Sequence, residues 1–406
     1  MQGLIKISEQ TAWQVISKIV STISNLIVLG LITRNYGQSG TGVYTLALTY
    51  IIFFYLIADL SLNNYFLTKY SKTAKDPNYL FSIRILWSLF LIIVANLLVF
   101  LLPFNTPLFQ STVFIGSLAI FFSAIATSTS LIFQANLKYQ HFMLATVVGS
   151  LTMLITTFLF VILKLPIPLL IFGVVVGWIT NNLVSLKLAN RLYTLKFLLP
   201  KLSYLKNIFM VCWPLSATLI LNTIYFRVDS FILTAILGFE KVAIYNLAYS
   251  ICQTILVIPT FIMNSFYPLM IAQLKVDKDI FISQIKKAAG LLLIFSIIIG
   301  LGTWLLSPLI INFIAGEDFS FSSEVLQLLS LSLPAFFLSS LLMWTLMTLG
   351  RFKTLLVIYG IGLLVNLVLN LWLIPMLGIR GAVLTTIISE YLILLMQIMV
   401  LWRGIK

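Results

Sequence analysis

Apolar runs about as long as a membrane is thick, separated by short polar stretches, recur along the whole chain and narrow its fold more than anything else in it. A helix needs about 20 apolar residues to cross the hydrocarbon core. Lipid leaves only helices and closed barrels as spanning structures, because every backbone polar group must be satisfied internally. Unbroken runs, rather than alternating ones, select the helix. Charged residues make up only 9% of the chain and mean hydropathy is +1.10. A soluble domain carries about 25% charge, so a soluble fold is excluded.

Twelve spans follow: Ala12–Ile32, Val43–Leu67, Leu80–Leu102, Leu108–Phe133, Phe142–Leu163, Ile167–Ala189, Ile208–Leu237, Val242–Leu274, Ala288–Leu306, Glu324–Leu349, Phe352–Ile374 and Gly381–Trp402. Pro77, Pro103, Pro107, Pro166, Pro308 and Pro375 are expected at span ends, whereas Pro214, Pro259, Pro268 and Pro334 fall inside runs and should kink them. The first run has full length and no small-residue cleavage site, so it reads as a retained span rather than a signal. Cys212 and Cys252 lie in apolar runs and read as small core residues, not as a disulfide or metal site.

The basic residues set the expected orientation. With the N-terminus inside, the inner segments hold 18 Lys and Arg, among them Lys69, Lys72, Lys75 and the cluster from Lys187 to Lys206, and the outer ones hold only four. Cytoplasmic loops carry that excess, so both termini are expected in the cytoplasm. The same asymmetry accounts for the net charge of +14 without nucleic acid.

The segment Gly37–Leu48 closes the first span and opens the second, and Gly238–Tyr249 does the same for the seventh and eighth. Gly-to-Tyr spacing is seven residues in both, Gly37 to Tyr44 and Gly238 to Tyr245, at an offset of 201. Six spans separate the copies, which implies a parallel repeat about an axis along the membrane normal. The expected organisation is an N-terminal six-helix lobe at 1–190, a basic cytoplasmic linker at 191–207 and a C-terminal six-helix lobe at 208–406.

Four stretches carry a family resemblance: Arg34–Gly37 with Gly42-Val-Tyr44; Asp229 with Gly238, Tyr245 and Ala248; Gly316–Phe319 with Leu328, Leu329 and Pro334; and Leu349–Lys353 with Asn366, Asn370, Ile374–Gly378, Gly381, Ala382, Ser389 and Glu390. In these the chain resembles the Wzx-type polysaccharide-unit flippases of O-antigen and capsule export, within the superfamily that holds MATE drug exporters and lipid II flippases. The resemblance implies two six-helix bundles forming a V that opens to alternate sides. It also implies flipping of an oligosaccharide on polyprenyl pyrophosphate from the inner to the outer leaflet. The partners it implies are the lipid-linked glycan, membrane lipids, a polysaccharide polymerase and chain-length proteins, with the flippase itself a monomer. Spans 13 and 14 of lipid II flippases have no counterpart here, which argues against that substrate.

Ionisable groups at membrane depth are costly and mark function unless they face protein or snorkel. Lys18 and Arg84 lie near inner ends, where snorkelling is the plainer reading for Arg84. Arg227 is about ten residues, roughly 15 Å, from the outer end of its span. Ser216, Thr223, Arg227, Ser230 and Thr234 share one stripe there, which suits a wet cavity. The guanidinium fork suits a pyrophosphate; the alternative is an ion pair with Asp59 or Glu390. Asp59 and Asn63 stand at i, i+4 as further cavity candidates. Asp229 points about 200° away, on the side of Asn222 and Tyr225, while Asn366 and Asn370, and Thr386 and Glu390, form i, i+4 pairs. Asp229, Asn366, Asn370 and Thr386 stand at one depth in the outer half and offer only oxygen ligands. Either they hold a Na⁺, or Asp229 and Glu390 carry a proton, or the group is a structural hydrogen-bond network.

Other chemistries recede. His141 beside Lys138 reads as a solvated loop residue, and Asp277-Lys-Asp279 as a solvated loop rather than a glycosyltransferase metal site. No GxxxxGK[ST] stretch exists for P-loop ATP hydrolysis. A MATE-type multidrug antiporter is the main alternative, kept open by Asp59, Asp229 and Glu390. A membrane polymerase would need a long external loop with Arg or His, and Ser307–Ser323 has neither. The GxxxDRxGR signature of major-facilitator carriers is absent from Thr68–Asn78. The reading is a transporter without covalent chemistry.

Overall fold

The computed structural model describes residues 2–69 and 76–405, and no strand occurs among them. Helices α1 (Gln2–Asp59), α2 (Leu62–Lys69), α3 (Asp76–Leu98), α4 (Pro107–Ala135), α5 (Gln140–Ile162), α6 (Ile167–Ala189) and α7 (Leu202–Leu237) form the first part. There follow α8 (Phe239–Ile255), α9 (Val257–Val276), α10 (Lys278–Ala315), α11 (Ser320–Ser330), α12 (Leu333–Thr348), α13 (Phe352–Leu377) and α14 (Ile379–Ile405). Short 3-10 turns at Val99–Leu101 and Glu317–Phe319 complete the elements.

Nine helices among the described residues are long and apolar enough to cross a membrane, or up to ten with α11 and α12 as one span bent by 46°. The first of these is Ala12–Asp59, 48 residues long, with non-helical backbone at Gly37 (φ 62°). At 1.5 Å per residue that is about 72 Å, enough for two crossings. Large apolar side chains such as Leu305, Leu309 and Phe313 stand exposed on α10, where lipid rather than water suits them. The protein is an all-helical, multi-pass membrane protein.

The two copies of the sequence repeat fold alike locally. Gly37 and Gly238 (φ 84°) both adopt left-handed backbone, which glycine enters without a Cβ clash. Tyr44 and Tyr245, seven residues on, are both buried, as are Ala47 and Ala248.

Several expected spans are broken or extended. The second does not run to Leu67: α1 ends at Asp59, and Leu60 (φ 43°) and Ser61 (φ 52°) both take left-handed backbone before α2. Asp59 and Asn63 therefore do not share a helix face. The eighth breaks at Leu256, three residues before Pro259, and the tenth at Leu331–Ser332, just before Pro334. Pro308 does not end a helix, because α10 continues to Ala315. The N–H that Pro308 lacks would have met the carbonyl of Trp304. That carbonyl instead accepts from Gln327 Nε2 at 3.2 Å and Ser307 Oγ at 3.3 Å. Pro375 likewise lies inside α13, two residues before its end. His141 opens α5 and packs edge-on against Phe133 rather than lying in a loop. Asp277 caps α10, accepting from the backbone N–H of Asp279 at 2.7 Å, which explains the Asp-Lys-Asp stretch as a helix start.

By their contacts the residues divide into two compact units, Met1–Ile220 and Leu221–Lys406. The division falls inside α7 rather than in the basic connection before it. The start of α7 belongs with the first unit because Ile208 and Cys212 pack against Leu60, Phe66, Leu80 and Leu131. The connection is bound there too. The side chain of Asn78 accepts the backbone N–H of Lys196 at 2.7 Å and donates to the Tyr193 hydroxyl, and Ser82 Oγ accepts the N–H of Leu198 at 2.7 Å.

In the first unit α6 packs on α4 and α5, and α1 on the same two helices. Gly173 and Gly177 form a G-x-x-x-G face, which lets membrane helices approach closely. A Cβ on Gly177 would stand 2.8 Å from Met153 Cβ and 2.9 Å from the carbonyl oxygen of Gly149. In the second unit α13 packs on α14, α10 on α11 and α12, α12 on α14 and α9, and α11 on α8. A Cβ on Gly381 would meet the carbonyl oxygen of Leu373 at 2.3 Å, so only glycine permits the tight entry from α13 to α14.

Candidate functional site

Helix α7 of the second unit carries a cation and an acid two residues apart, and the fold separates them as helical spacing requires. Arg227 is half-buried. Its Nη2 donates to Gln253 Oε1 at 2.8 Å, and its guanidinium lies 5.8 Å from the Tyr249 ring centre. No carboxylate pairs with it within 4 Å among the described residues. Of the partners that the sequence left open, Asp59 is paired with Arg84 in the first unit and Glu390 is bonded to Tyr225. A neutral amide and an aromatic face orient the guanidinium. The polar stripe around it is narrower than helical spacing suggests. Ser216, Ser230 and Thr234 are buried; Ser216 bonds to the Cys212 carbonyl, Ser230 to Asn246 Oδ1 and Thr234 to the Ser230 carbonyl.

Asp229 is buried. One of its oxygens accepts from the Tyr245 hydroxyl and the other from the N–H of Ser230. The Tyr245 hydroxyl also lies 3.3 Å from Thr386 Oγ1, so one tyrosine joins α7, α8 and α14. Asn370 Nδ2 donates to Asn366 Oδ1 at 2.9 Å on α13, and Asn370 Oδ1 is buried without a hydrogen-bond partner among the described residues. Thus the structure links Asp229 with Thr386 and Asn366 with Asn370, while no hydrogen bond joins the two pairs among the described residues. Glu390, one turn beyond Thr386, is 3% exposed and accepts from the Tyr225 hydroxyl at 2.5 Å.

In the first unit Arg84 is not a snorkelling side chain. It is completely buried, and its Nη2 lies 2.5 Å from Asp59 Oδ1 and 3.4 Å from the Asp59 carbonyl. The reason is the helix break after Asp59, whose free carbonyls need donors. Arg84 supplies one, and Trp87 Nε1 supplies another to Ile57 O at 2.9 Å. Asn63, beyond the break, donates to the Thr127 carbonyl and to Ser130 Oγ on α4. Lys18 is exposed on α1.

Sequence reasoning did not single out Tyr225, Tyr249, Gln253 or Asn246 as site residues, and it took Tyr245 only as a landmark of the repeat and of the family resemblance. Its fixed spacing from Gly238 was the signal available for Tyr245. The other four are neutral, and in apolar runs neutral residues raise no flag.

Residues 7–274 match the family model described as polysaccharide biosynthesis protein, and residues 214–372 match the MatE model. The chain is 27% identical over 273 residues to the "Putative O-antigen transporter" of Shigella dysenteriae, covering 66% of this chain and 67% of that one. Among solved structures it is similar to the lipid II flippase MurJ in an inward closed conformation, with TM-score 0.80, 19% identity and coverage of 95% and 86% of the two chains. An inward-facing multidrug resistance MATE family transporter gives TM-score 0.78 at 14% identity, covering 93% and 94%. Both structures share the fold with this chain. With the model matched over more than half its length, the chain belongs to the polysaccharide biosynthesis protein family.

Proposed function

We propose that the protein flips a polyprenyl-pyrophosphate-linked oligosaccharide from the inner to the outer leaflet by alternating access, and performs no covalent chemistry. One observation carries this reading beyond family membership: Arg227 is a half-buried cation in a membrane-spanning helix, oriented by Gln253 and Tyr249 and unpaired with any carboxylate within 4 Å among the described residues. Such a group suits an anionic headgroup and repels an organic cation. Asp229 and Glu390, the buried carboxylates of this unit, are each hydrogen-bonded to a tyrosine, and neither pairs with Arg227 within 4 Å. Within the first unit, Lys18 is the proposed substrate residue exposed on its helix, whereas Asp59, Arg84 and Asn63, which the sequence also offered for a cavity, are held in the bonds around the helix break.

In cells that make the glycan, depleting this protein is expected to trap the lipid-linked unit in the inner leaflet, out of reach of a membrane-impermeant oxidant such as periodate applied from outside. Outside-accessible units persisting at normal amounts after depletion would overturn the reading.

Coupling to an ion belongs to the same proposal. Asp229, Thr386, Asn366 and Asn370 would hold a Na⁺, which can drive transport only by binding one conformation better than the other. Twelve crossings in two six-helix lobes, with both termini cytoplasmic, are proposed from the basic-residue asymmetry. Of the positions that carry it, Lys72, Lys75 and Lys406 lie outside the described residues. Ser39 and Ser203 are both exposed. A cysteine at Ser203 should react with a membrane-impermeant maleimide only from the cytoplasmic side, and one at Ser39 only from the outside. The reverse pattern would invert the topology. The proposed setting is a bacterial inner membrane, with a polymerase and chain-length proteins as partners of a monomeric flippase.

A further inference from the structure

The chain from the end of α6 into the start of α7 sets large apolar side chains among cations, a pattern the transport reading leaves unused. No Asp or Glu occurs between Asp76 and Asp229. Lys187, Arg191, Lys196, Lys201 and Lys206 are exposed, and none pairs with a carboxylate within 4 Å among the described residues. Phe197, Leu198, Leu199 and Leu202 lie between these cations and are exposed as well. Four such side chains so close together would form an apolar patch if water covered them.

The connection is not free to turn them inward. Its backbone is bonded to Asn78 and Ser82 of α3 at Lys196 and Leu198. Just before that, Leu192, Tyr193 and Leu195 pack on the core of Ile132, Phe133 and Ala189, which sets the connection beside the turn between α4 and α5. That turn adds Leu137 and Lys138, both exposed. Lys138 and Arg191 both exert their charge on the His141 ring, so the two segments present one basic surface. The positive-inside rule accounts for the sign of such segments, but not for the exposed apolar side chains between the cations. A lipid headgroup layer accounts for both. The apolar side chains enter it by about 5–10 Å, and headgroup phosphates meet the cations above them. A soluble anion would match only the charges.

We propose that the α4–α5 turn and the connection at 191–206 form a docking surface for anionic phospholipid. Lys138, Arg191 and Lys196 meet the headgroup phosphates, while Phe197, Leu199 and Leu202 lie among the upper acyl chains. Because the connection is tied to α3 by its backbone, lipid bound there fixes the depth of the first unit in the bilayer. A zwitterionic headgroup fits less well, since its own cation offsets the phosphate. The inference goes beyond glycan flipping and requires no particular substrate.

Its test uses no glycan lipid, so its failure is separate from failure of the flipping reading. The full chain with Ser203→Cys is labelled with bimane and reconstituted in phosphatidylcholine vesicles. Cys212 and Cys252 are buried, so the label goes to residue 203. The vesicles contain a minor fraction of phosphatidylglycerol or phosphatidylcholine carrying a nitroxide near the glycerol end of one acyl chain. Both leaflets carry this quencher, which makes the result independent of protein orientation. Both lipids should quench the label, with phosphatidylglycerol enriched about fivefold over phosphatidylcholine at low salt. Salt at about 1 M, where the Debye length is about 3 Å, should remove the preference. Lys138→Gln/Arg191→Gln/Lys196→Gln should lower it to less than about twofold while leaving quenching by phosphatidylcholine unchanged. Inorganic pyrophosphate at matched ionic strength should leave it intact. Equal quenching by the two lipids, quenching by neither, or a preference that survives both high salt and the triple variant would each overturn the proposal. Loss of the preference to pyrophosphate would overturn it too, by assigning the cations to a soluble phosphate.

Discussion

Arg227→Ala is expected to abolish glycan export while the protein accumulates in the membrane at normal levels. The guanidinium is half-buried and oriented by Gln253 and Tyr249, and no carboxylate pairs with it within 4 Å among the described residues. Its removal therefore costs little folding energy and mainly affects what the charge would bind. Losing a charge-assisted fork to an anionic headgroup costs about 2–4 kcal/mol, or roughly 30- to 1,000-fold in affinity. Arg227→Lys keeps the charge but loses the fork and the flat stacking surface on Tyr249, so it should fall between the wild type and Arg227→Ala. The measurement is surface glycan per cell, normalised to immunodetected protein. Normal export in Arg227→Ala would remove the residue from the substrate path.

The second large effect is on stability. Arg84 is completely buried, while the Asp59 side chain is 37% exposed. Asp59→Leu strands a buried cation, and breaking such a pair from one side costs about 3–5 kcal/mol. Arg84→Met leaves a carboxylate at a partly exposed site, so it should cost clearly less. The double variant Asp59→Leu/Arg84→Met should recover most of the loss, because an apolar pair can replace a buried ion pair at small net cost. Thermal unfolding of the detergent-purified protein should rank Asp59→Leu lowest, Arg84→Met above it and the double variant nearest the wild type. Strict additivity of the two single losses would show that the pair is not coupled.

Most of the helical architecture could be read from the sequence because lipid imposes it. A run of about 20 apolar residues with a basic inner flank has few other uses. Breaks inside runs were harder. Nothing in Ala58-Asp-Leu-Ser-Leu62 contains glycine or proline, yet Leu60 and Ser61 leave the helix, because Arg84 and Trp87 on a distant stretch of chain satisfy the carbonyls released there. Pro308 shows the converse, a proline absorbed by a helix because Gln327 reaches its orphaned carbonyl. In both cases the deciding partner is remote in sequence, and local propensity is overruled by tertiary contact. The site was legible by its charges and opaque in its neutral members. Asp229 and Thr386 stood out by depth and helix face, but the tyrosine that joins them did not.

The bound connection between α6 and α7 has a consequence for how this chain can vary. Asn78 and Ser82 hold it by the backbone N–H groups of Lys196 and Leu198, not by their side chains. A main-chain donor is present in every residue except proline. At these two positions the attachment therefore depends on the α3 side chains, and 196 and 198 are nearly unconstrained in identity, whereas Tyr193 is held by its own hydroxyl. Lys196 is exposed, which leaves its charge available to anionic lipid headgroups without loosening the tether. Homologous chains can thus drift freely at 196 and 198, proline excepted, while an acceptor side chain at 78 and a hydroxyl at 82 are retained.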